Sequence, residues 1–181
     1  YKNQALAETL KRIAKHGRDE FYTGETATKL IEFLNQKGGI ITMEDLVKYQ
    51  AQWRKPIRFE YENLNIISMS PPSSGGLCLA QIMKMIEPYN LSQYGQNSLK
   101  TIQVIVEAEK QAYADRSYYL GDPDFVNIPI DDLLDGDYLK SRMQHFSFEK
   151  ATPSNTISYG RLPNYTMEIS ESLHYQEHEE T

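Results

Sequence analysis

The sequence predicts an α+β fold, mostly helical, with one short β-hairpin and a long extended tail. Three observations predict it. Apolar residues recur every three or four positions through most of the first 149 residues, the period of helices packed on one face. Between Pro56 and Ser70 the period drops to two. From Lys150 to Thr181 neither period holds, and Ser, Thr, Asn, Pro and Glu dominate. The expected organisation is a helical layer with a hairpin over residues 1–149, then an extended or mobile segment over 150–181.

The elements follow in order. Residues 3–16 predict an amphipathic helix, with Ala5, Leu6, Leu10, Ile13 and Ala14 on one side and Gly17 as its stop. Phe21 and Tyr22 fall in a short link. A second helix is expected over 26–36, closed by Gly38-Gly39. Thr42 with Asp45 three positions on has the form of a capping box, and opens a short helix to about Tyr49. Ile57–Tyr61 and Asn65–Met69 read as two strands joined at Glu62-Asn63. A Pro-Pro-Ser-Ser-Gly-Gly turn, 71–76, feeds a helix through Leu79, Ile82, Met83 and Ile86 that stops before Pro88. Asn97 or Ser98 caps a long helix ending near Gly121, and Asp122-Pro123-Asp124 turns the chain. A loop to about Asp135 and a last helix over 137–146 complete the layer.

The long helix carries the densest chemistry. Ile102, Ile105, Val106, Ala112, Tyr113 and Leu120 form an apolar stripe, and Glu109 and Arg116 fall on it. A carboxylate and a guanidinium on an apolar face are costly unless paired, so a buried or half-buried polar network is expected there. Asp115 and Arg116 could serve either architecture or the support of a nearby site.

Composition excludes several classes. A net charge of -6 and a pI near 5.3 argue against a nucleic-acid partner. No apolar run approaches the ~18 residues that a membrane span needs. Cys78 is the only cysteine, so no intrachain disulfide can form. Tyr1 is not an initiator methionine, so the lack of a signal segment carries no weight.

Other candidates are weaker. Ser73-Ser74-Gly75-Gly76 could bind an anion at a helix N-terminus, or could be a tight turn whose glycines permit close packing. It lacks the Gly-Lys-Ser/Thr ending of a P-loop. His174 and His178 have the spacing of two metal ligands only if their segment is helical, and an acidic solvated tail is the simpler reading. Asp122, Asp124, Asp131, Asp132, Asp135 and Asp137 are dense but lack the calcium-loop order, and caps and turns explain them. Asn90 and Asn164 fit the glycosylation pattern, which matters only in a secreted eukaryotic protein.

Four stretches, taken together and in order, resemble the γ-glutamyltranspeptidases. They are Phe21-Tyr22-Thr23-Gly24; Gly38-Gly39-Ile40-Ile41-Thr42 with Glu44-Asp45-Leu46 and Tyr49; the Pro71–Gly76 turn; and Ala112-Tyr113-Ala114-Asp115-Arg116 followed by Leu120-Gly121-Asp122-Pro123-Asp124-Phe125. The resemblance covers roughly residues 18–145. It implies an αββα N-terminal-nucleophile hydrolase fold and a precursor that cleaves itself into a large and a small subunit. The implied reaction is cleavage of the γ-glutamyl bond of glutathione, with transfer to water or to an amino acid or peptide acceptor. On this resemblance the chain is the last part of the large subunit. Glu180-Thr181 is then the processing site and Thr181 the nucleophile after processing.

The resemblance also implies the small-subunit polypeptide as a partner, γ-glutamyl compounds as substrates, no cofactor and no metal. It implies a periplasmic or secreted location as well. The family's arginine for the substrate carboxylate and its oxyanion-hole donors have no counterpart here, so the chain by itself is expected to be inactive. Related acylases with another amide substrate, or a non-catalytic structural homologue, share the same scaffold motifs.

Overall fold

The computed structural model describes residues 2–163, 165 and 166. It is mostly helical with one two-stranded antiparallel hairpin, as the periodicities predict. The chain divides into two compact units, residues 1–53 and 54–181. The boundary expected at 149/150 does not coincide with this division, because residues 150–163 pack within the second unit.

The first unit holds α1 (Gln4–His16), α2 (Arg18–Tyr22), α3 (Glu25–Gln36) and α4 (Met43–Lys48). Asn3 caps α1 by accepting the Leu6 amide at 3.0 Å. Gly17, at φ 65°, takes the left-handed turn that ends it. Phe21 and Tyr22, expected in a link, belong instead to α2. That five-residue helix is held from outside: Glu20, buried, accepts Arg12 Nε at 2.8 Å, the Thr26 hydroxyl at 2.8 Å and the Thr26 amide at 3.2 Å. A run this short leaves no periodicity to read, so tertiary contacts decide it. The capping box forms as predicted. Thr42 N–H donates to Asp45 Oδ2 at 2.7 Å and Asp45 N–H to Thr42 Oγ1 at 3.3 Å.

The second unit starts with β1 (Ile57–Tyr61) and β2 (Leu64–Ser68), paired from Ile57 with Ser68 to Tyr61 with Leu64. Strand β2 thus begins one residue earlier than expected. Ile57 and Phe59 alternate inward onto Ala80 of α5 (Gly75–Ile86). Next come α6 (Leu91–Tyr94) and α7 (Leu99–Tyr119), the longest helix, which packs on α5. Ser98 caps α7 through the Thr101 amide, while Asn97 adopts φ 54°. The expected loop contains a four-residue helix, α8 (Ile130–Leu133). The last helix, α9 (Gly136–Arg142), starts one residue earlier than expected and ends sooner.

One expectation fails in this unit. The inward face of α7 is Val104, Glu107, Ala108, Ala112, Asp115 and Tyr119. Half of the expected stripe is turned outward: Ile102, Val106 and Tyr113 are 47%, 41% and 54% exposed, whereas Ala112 is buried and Ile105 and Leu120 are half-buried. Glu109 and Arg116 are exposed with it. Apolar residues lie nearly all round this helix, so period alone could not choose the face; the small side chains of Ala108 and Ala112, which let α5 approach, did. The tail is extended as expected over its described part, and the structure adds how it is held. Residues 150–163 are extended apart from one 3-10 turn at Ser154–Thr156, but they are packed and hydrogen-bonded to helices.

Candidate functional site

The densest buried polar cluster among the described residues lies where α7, α5 and α9 meet the extended strap 150–163. Asp115, fully buried on α7, is its centre. Its Oδ2 accepts Gln81 Nε2 of α5 at 3.2 Å and the Tyr138 hydroxyl of α9 at 2.8 Å. Its Oδ1 accepts the Gly160 amide of the strap at 2.8 Å and pairs with Arg142 Nη2 at 3.0 Å. A buried carboxylate is tolerable only when its lone pairs are taken up in this way.

The same donors reach further. Gln81 also donates to the Leu133 carbonyl at 3.1 Å. Arg142 Nη2 donates to the carbonyls of Ser158 and Gln111, at 2.8 and 3.2 Å. The Tyr119 hydroxyl donates to the Gly160 carbonyl at 2.5 Å. Gly160 is therefore held at both its amide and its carbonyl. No side chain fits there, because a Cβ on Gly160 would stand 2.3 Å from the Tyr138 hydroxyl oxygen. Burial, then the charge of Asp115, then their hydrogen bond push the Tyr138 hydroxyl far above the ordinary tyrosine range. It stays a neutral donor.

A second clip lies about two helical turns of α7 earlier. Glu107, also buried, accepts Lys110 Nζ at 2.6 Å and the Thr152 amide at 2.9 Å, and Lys110 donates to the Thr152 carbonyl at 2.7 Å. Burial would raise the Glu107 carboxyl, but Lys110 and the Thr152 amide and hydroxyl outweigh it and hold it below the usual range. Between the two clips, a cavity of about 330 Å³ is lined by Glu107, Gln111, Arg142, His145, Thr152 and Ser158. Arg142 Nε lies against buried surroundings without a hydrogen-bond partner among the described residues.

The structure places the expected residues as follows. Glu180 and Thr181 lie outside the described residues, as do His174, His178 and Asn164. Of the pair Asp115 and Arg116, only Asp115 enters the buried network; Arg116 is exposed and its Nε donates to Ser74 Oγ at 2.8 Å. In the Pro71–Gly76 turn it is Gly76 that needs to be glycine, since a Cβ would stand 2.0 Å from the Met69 carbonyl oxygen, whereas Gly75 is open. Three of the six aspartates have defined roles: Asp135 caps α9, Asp122 accepts the Asp124 amide, and Asp124 pairs with the distant Arg54 at 2.6 Å. Among the described residues no three His, Cys, Asp or Glu side chains group to hold a metal ion. No described helix is long and apolar enough to cross a membrane. Sequence reading missed Gln81, Glu107, Tyr138, Arg142 and Gly160. One signal was present: Val104, Ala108, Ala112, Asp115 and Tyr119 recur at helical spacing, with small residues where another helix must approach.

Comparison with known proteins places this scaffold in a class. The family model for γ-glutamyltranspeptidase matches residues 1–181, and the chain belongs to that family. It is 44% identical over 170 residues to the glutathione hydrolase proenzyme of Escherichia coli (strain K12), a match covering 94% of this chain and 29% of that protein. Helicobacter pylori γ-glutamyltranspeptidase superposes with a TM-score of 0.77 at 43% identity, over 88% of this chain and 46% of that one. The cephalosporin acylase of Bacillus halodurans follows with a TM-score of 0.69 at 26% identity, over 81% of this chain and 27% of that one. The chain thus spans less than a third of the first relative's length. The N-terminal-nucleophile hydrolase scaffold expected from the sequence motifs is the one these structures share.

Proposed function

We propose that this chain is the part of a γ-glutamyltranspeptidase proenzyme that leads into its self-processing junction. The whole protein then hydrolyses the γ-glutamyl bond of glutathione and related compounds, or transfers the γ-glutamyl group to an amino acid or peptide. The observation that carries this reading is the family match over the full chain, joined to the threonine at position 181.

The chemistry is coherent. The Thr181 hydroxyl attacks the Glu180 carbonyl carbon, the peptide C–N bond breaks, and an ester forms as the nitrogen takes up a proton. Water hydrolyses the ester, leaving a Glu180 carboxylate and a free Thr181 α-amine. That amine, with a pKa near ~8, can then take the proton from the adjacent hydroxyl. The activated oxygen attacks the γ-glutamyl carbonyl, expels the amine-bearing product, and holds the γ-glutamyl group as an ester until water or an acceptor amine takes it. The small-subunit polypeptide is the partner that completes the site, and export from the cytoplasm belongs to the same proposal.

The test uses the full-length protein. Mass spectrometry should find two chains, the second beginning with Thr181, and Thr181→Ala should leave one intact chain without activity on a γ-glutamyl anilide. An intact parent chain would sink the self-processing claim and leave a scaffold homologue. A related acylase is the second reading, supported by the likeness to cephalosporin acylase. The identities, 43–44% against 26–35%, favour the first. A glutaryl amide lacking the α-amino group separates them: faster turnover of that amide than of the γ-glutamyl anilide overturns the first reading. Cell fractionation tests the location.

A further inference from the structure

We propose that Tyr118 and Tyr159 form an oxidative crosslinking site, where a one-electron oxidant driven by peroxide joins the strap to α7 through a dityrosine. Tyr118 lies in the last turn of α7 and Tyr159 in the strap, 41 positions on. Their rings stack with centroids 3.6 Å apart and planes 7° from parallel. Aromatic pairs usually slide past one another or meet edge to face, with centroids about 4.5–7 Å apart. The neighbouring rings do so: Tyr119 stands edge-on to Tyr118, Tyr159 and Tyr165. Within this cluster of described residues, Tyr118 and Tyr159 alone lie face over face at contact distance.

The hydroxyls stand at the same end of the stack. Hydrogen bonding to Tyr159, then its charge, push the Tyr118 hydroxyl above the ordinary tyrosine range. The ring carbons beside the two hydroxyls therefore face each other. The backbone on both sides of Tyr159 is pinned: the Ser158 carbonyl accepts Arg142 Nη2 at 2.8 Å, and the Gly160 amide donates to Asp115 Oδ1 at 2.8 Å. Tyr118 and Tyr159 are 38% and 40% exposed, so an oxidant can draw an electron from either ring while the pair stays in contact.

The step balances. Each phenol gives up its hydroxyl hydrogen, as one electron and one proton, and becomes a phenoxyl radical whose unpaired electron is shared with the carbons beside the oxygen. The two radicals pair into one carbon–carbon bond. As the rings regain aromaticity, the hydrogens on those carbons leave as protons and the oxygens are reprotonated. The product has lost two hydrogen atoms. One hydrogen peroxide, acting through a haem peroxidase, takes up the two electrons and two protons and becomes two waters. What the site supplies is nearness, which makes the coupling intramolecular. Tyr113, on the same helix, is more exposed at 54% but has no ring partner among the described residues.

The full-length protein, kept dilute, is treated with a haem peroxidase and hydrogen peroxide, and chains that remain monomeric on a denaturing gel are digested with trypsin. Residues 117–140 and 151–161 should appear as one joined pair, lighter by two hydrogen atoms and fluorescing as dityrosine. Its yield should exceed that of any crosslink through Tyr113 by roughly tenfold or more. Tyr118→Phe and Tyr159→Phe keep the ring and lose the hydroxyl hydrogen, so neither should give the pair. Deuterium uptake across 151–161 should be slower in the treated parent than in treated Tyr118→Phe, because the crosslink fastens the strap.

No joined pair from the parent overturns the proposal. So does a pair that persists in Tyr118→Phe, since Tyr119 and Tyr138 lie in the same tryptic peptide and one of them would then be the partner. Equal or greater coupling through Tyr113 marks exposure as the cause and overturns it too. A crosslink that leaves deuterium uptake unchanged overturns the fastening of the strap.

Discussion

Asp115 accepts donors from three separate stretches of chain: Gln81 of α5, Tyr138 and Arg142 of α9, and the Gly160 backbone. Removing it leaves a buried guanidinium without its counter-charge. Asp115→Ala is therefore expected to cost about 3–5 kcal/mol, read as a shift of the urea midpoint, with a smaller loss in Asp115→Asn, which keeps the shape and one acceptor. Glu107 supplies a pH-dependent counterpart. Lys110 and Thr152 hold its folded pKa below the usual range despite its burial, which alone would raise it. Its contribution to stability is then full above the unfolded value of about 4.3, and is lost as pH falls through the lowered folded value. Stability measured against pH should show a steeper acid limb in the parent than in Glu107→Gln; parallel curves would count against this account. Both residues carried a charge onto the inward face of α7, where sequence reading had placed Glu109 and Arg116. The error came from the phase of the helix, not from the expectation of a buried polar network, which the structure contains.

At the scale of elements, the junction of β2 with α5 shows how one glycine sets a packing distance. Gly76 lies against the Met69 backbone, and neither atom set can yield as a flexible side chain would. Gly76→Ala is expected to destabilise by more than about 2 kcal/mol. Gly75→Ala, one residue earlier, where a Cβ meets only Ser73 Oγ at 3.6 Å, should be neutral or gain up to about 1 kcal/mol from the better helix former. Thermal melts of the two variants check the contrast, and equal losses would remove the packing explanation. The Pro71–Gly76 turn thus bears out the close-packing reading offered for it on sequence grounds, at Gly76. The Thr42–Asp45 capping box and the hairpin were legible for a similar reason: each is specified by residues within a few positions of one another. The short helices α2 and α8 were not, because a single turn has too few residues to show a period and is held by distant partners.

At the scale of the whole molecule, a chain spanning 29% of its E. coli relative is not expected to catalyse alone. Incubated with a γ-glutamyl anilide, residues 1–181 by themselves should release product no faster than buffer, while the full-length protein should turn it over. Turnover by the chain alone would show that the groups stabilising the oxyanion lie within it. The sequence by itself determined the class of fold, the order of its main elements, the caps, the bounds of the hairpin strands to within one residue, and, through motifs spread over residues 18–145, the family. These depend on local periodicity and on residues adjacent in the chain. Only the tertiary structure decided which face of α7 is buried, that Phe21 and Tyr22 are helical, and that residues 150–163 are strapped down onto α7 and α9 rather than loose. For the strap the physical reason is separation in sequence. Backbone groups of Thr152 and Gly160 find their partners 41 to 45 positions away, on Glu107, Lys110, Tyr119 and Asp115, and no local pattern records a bond made across that distance.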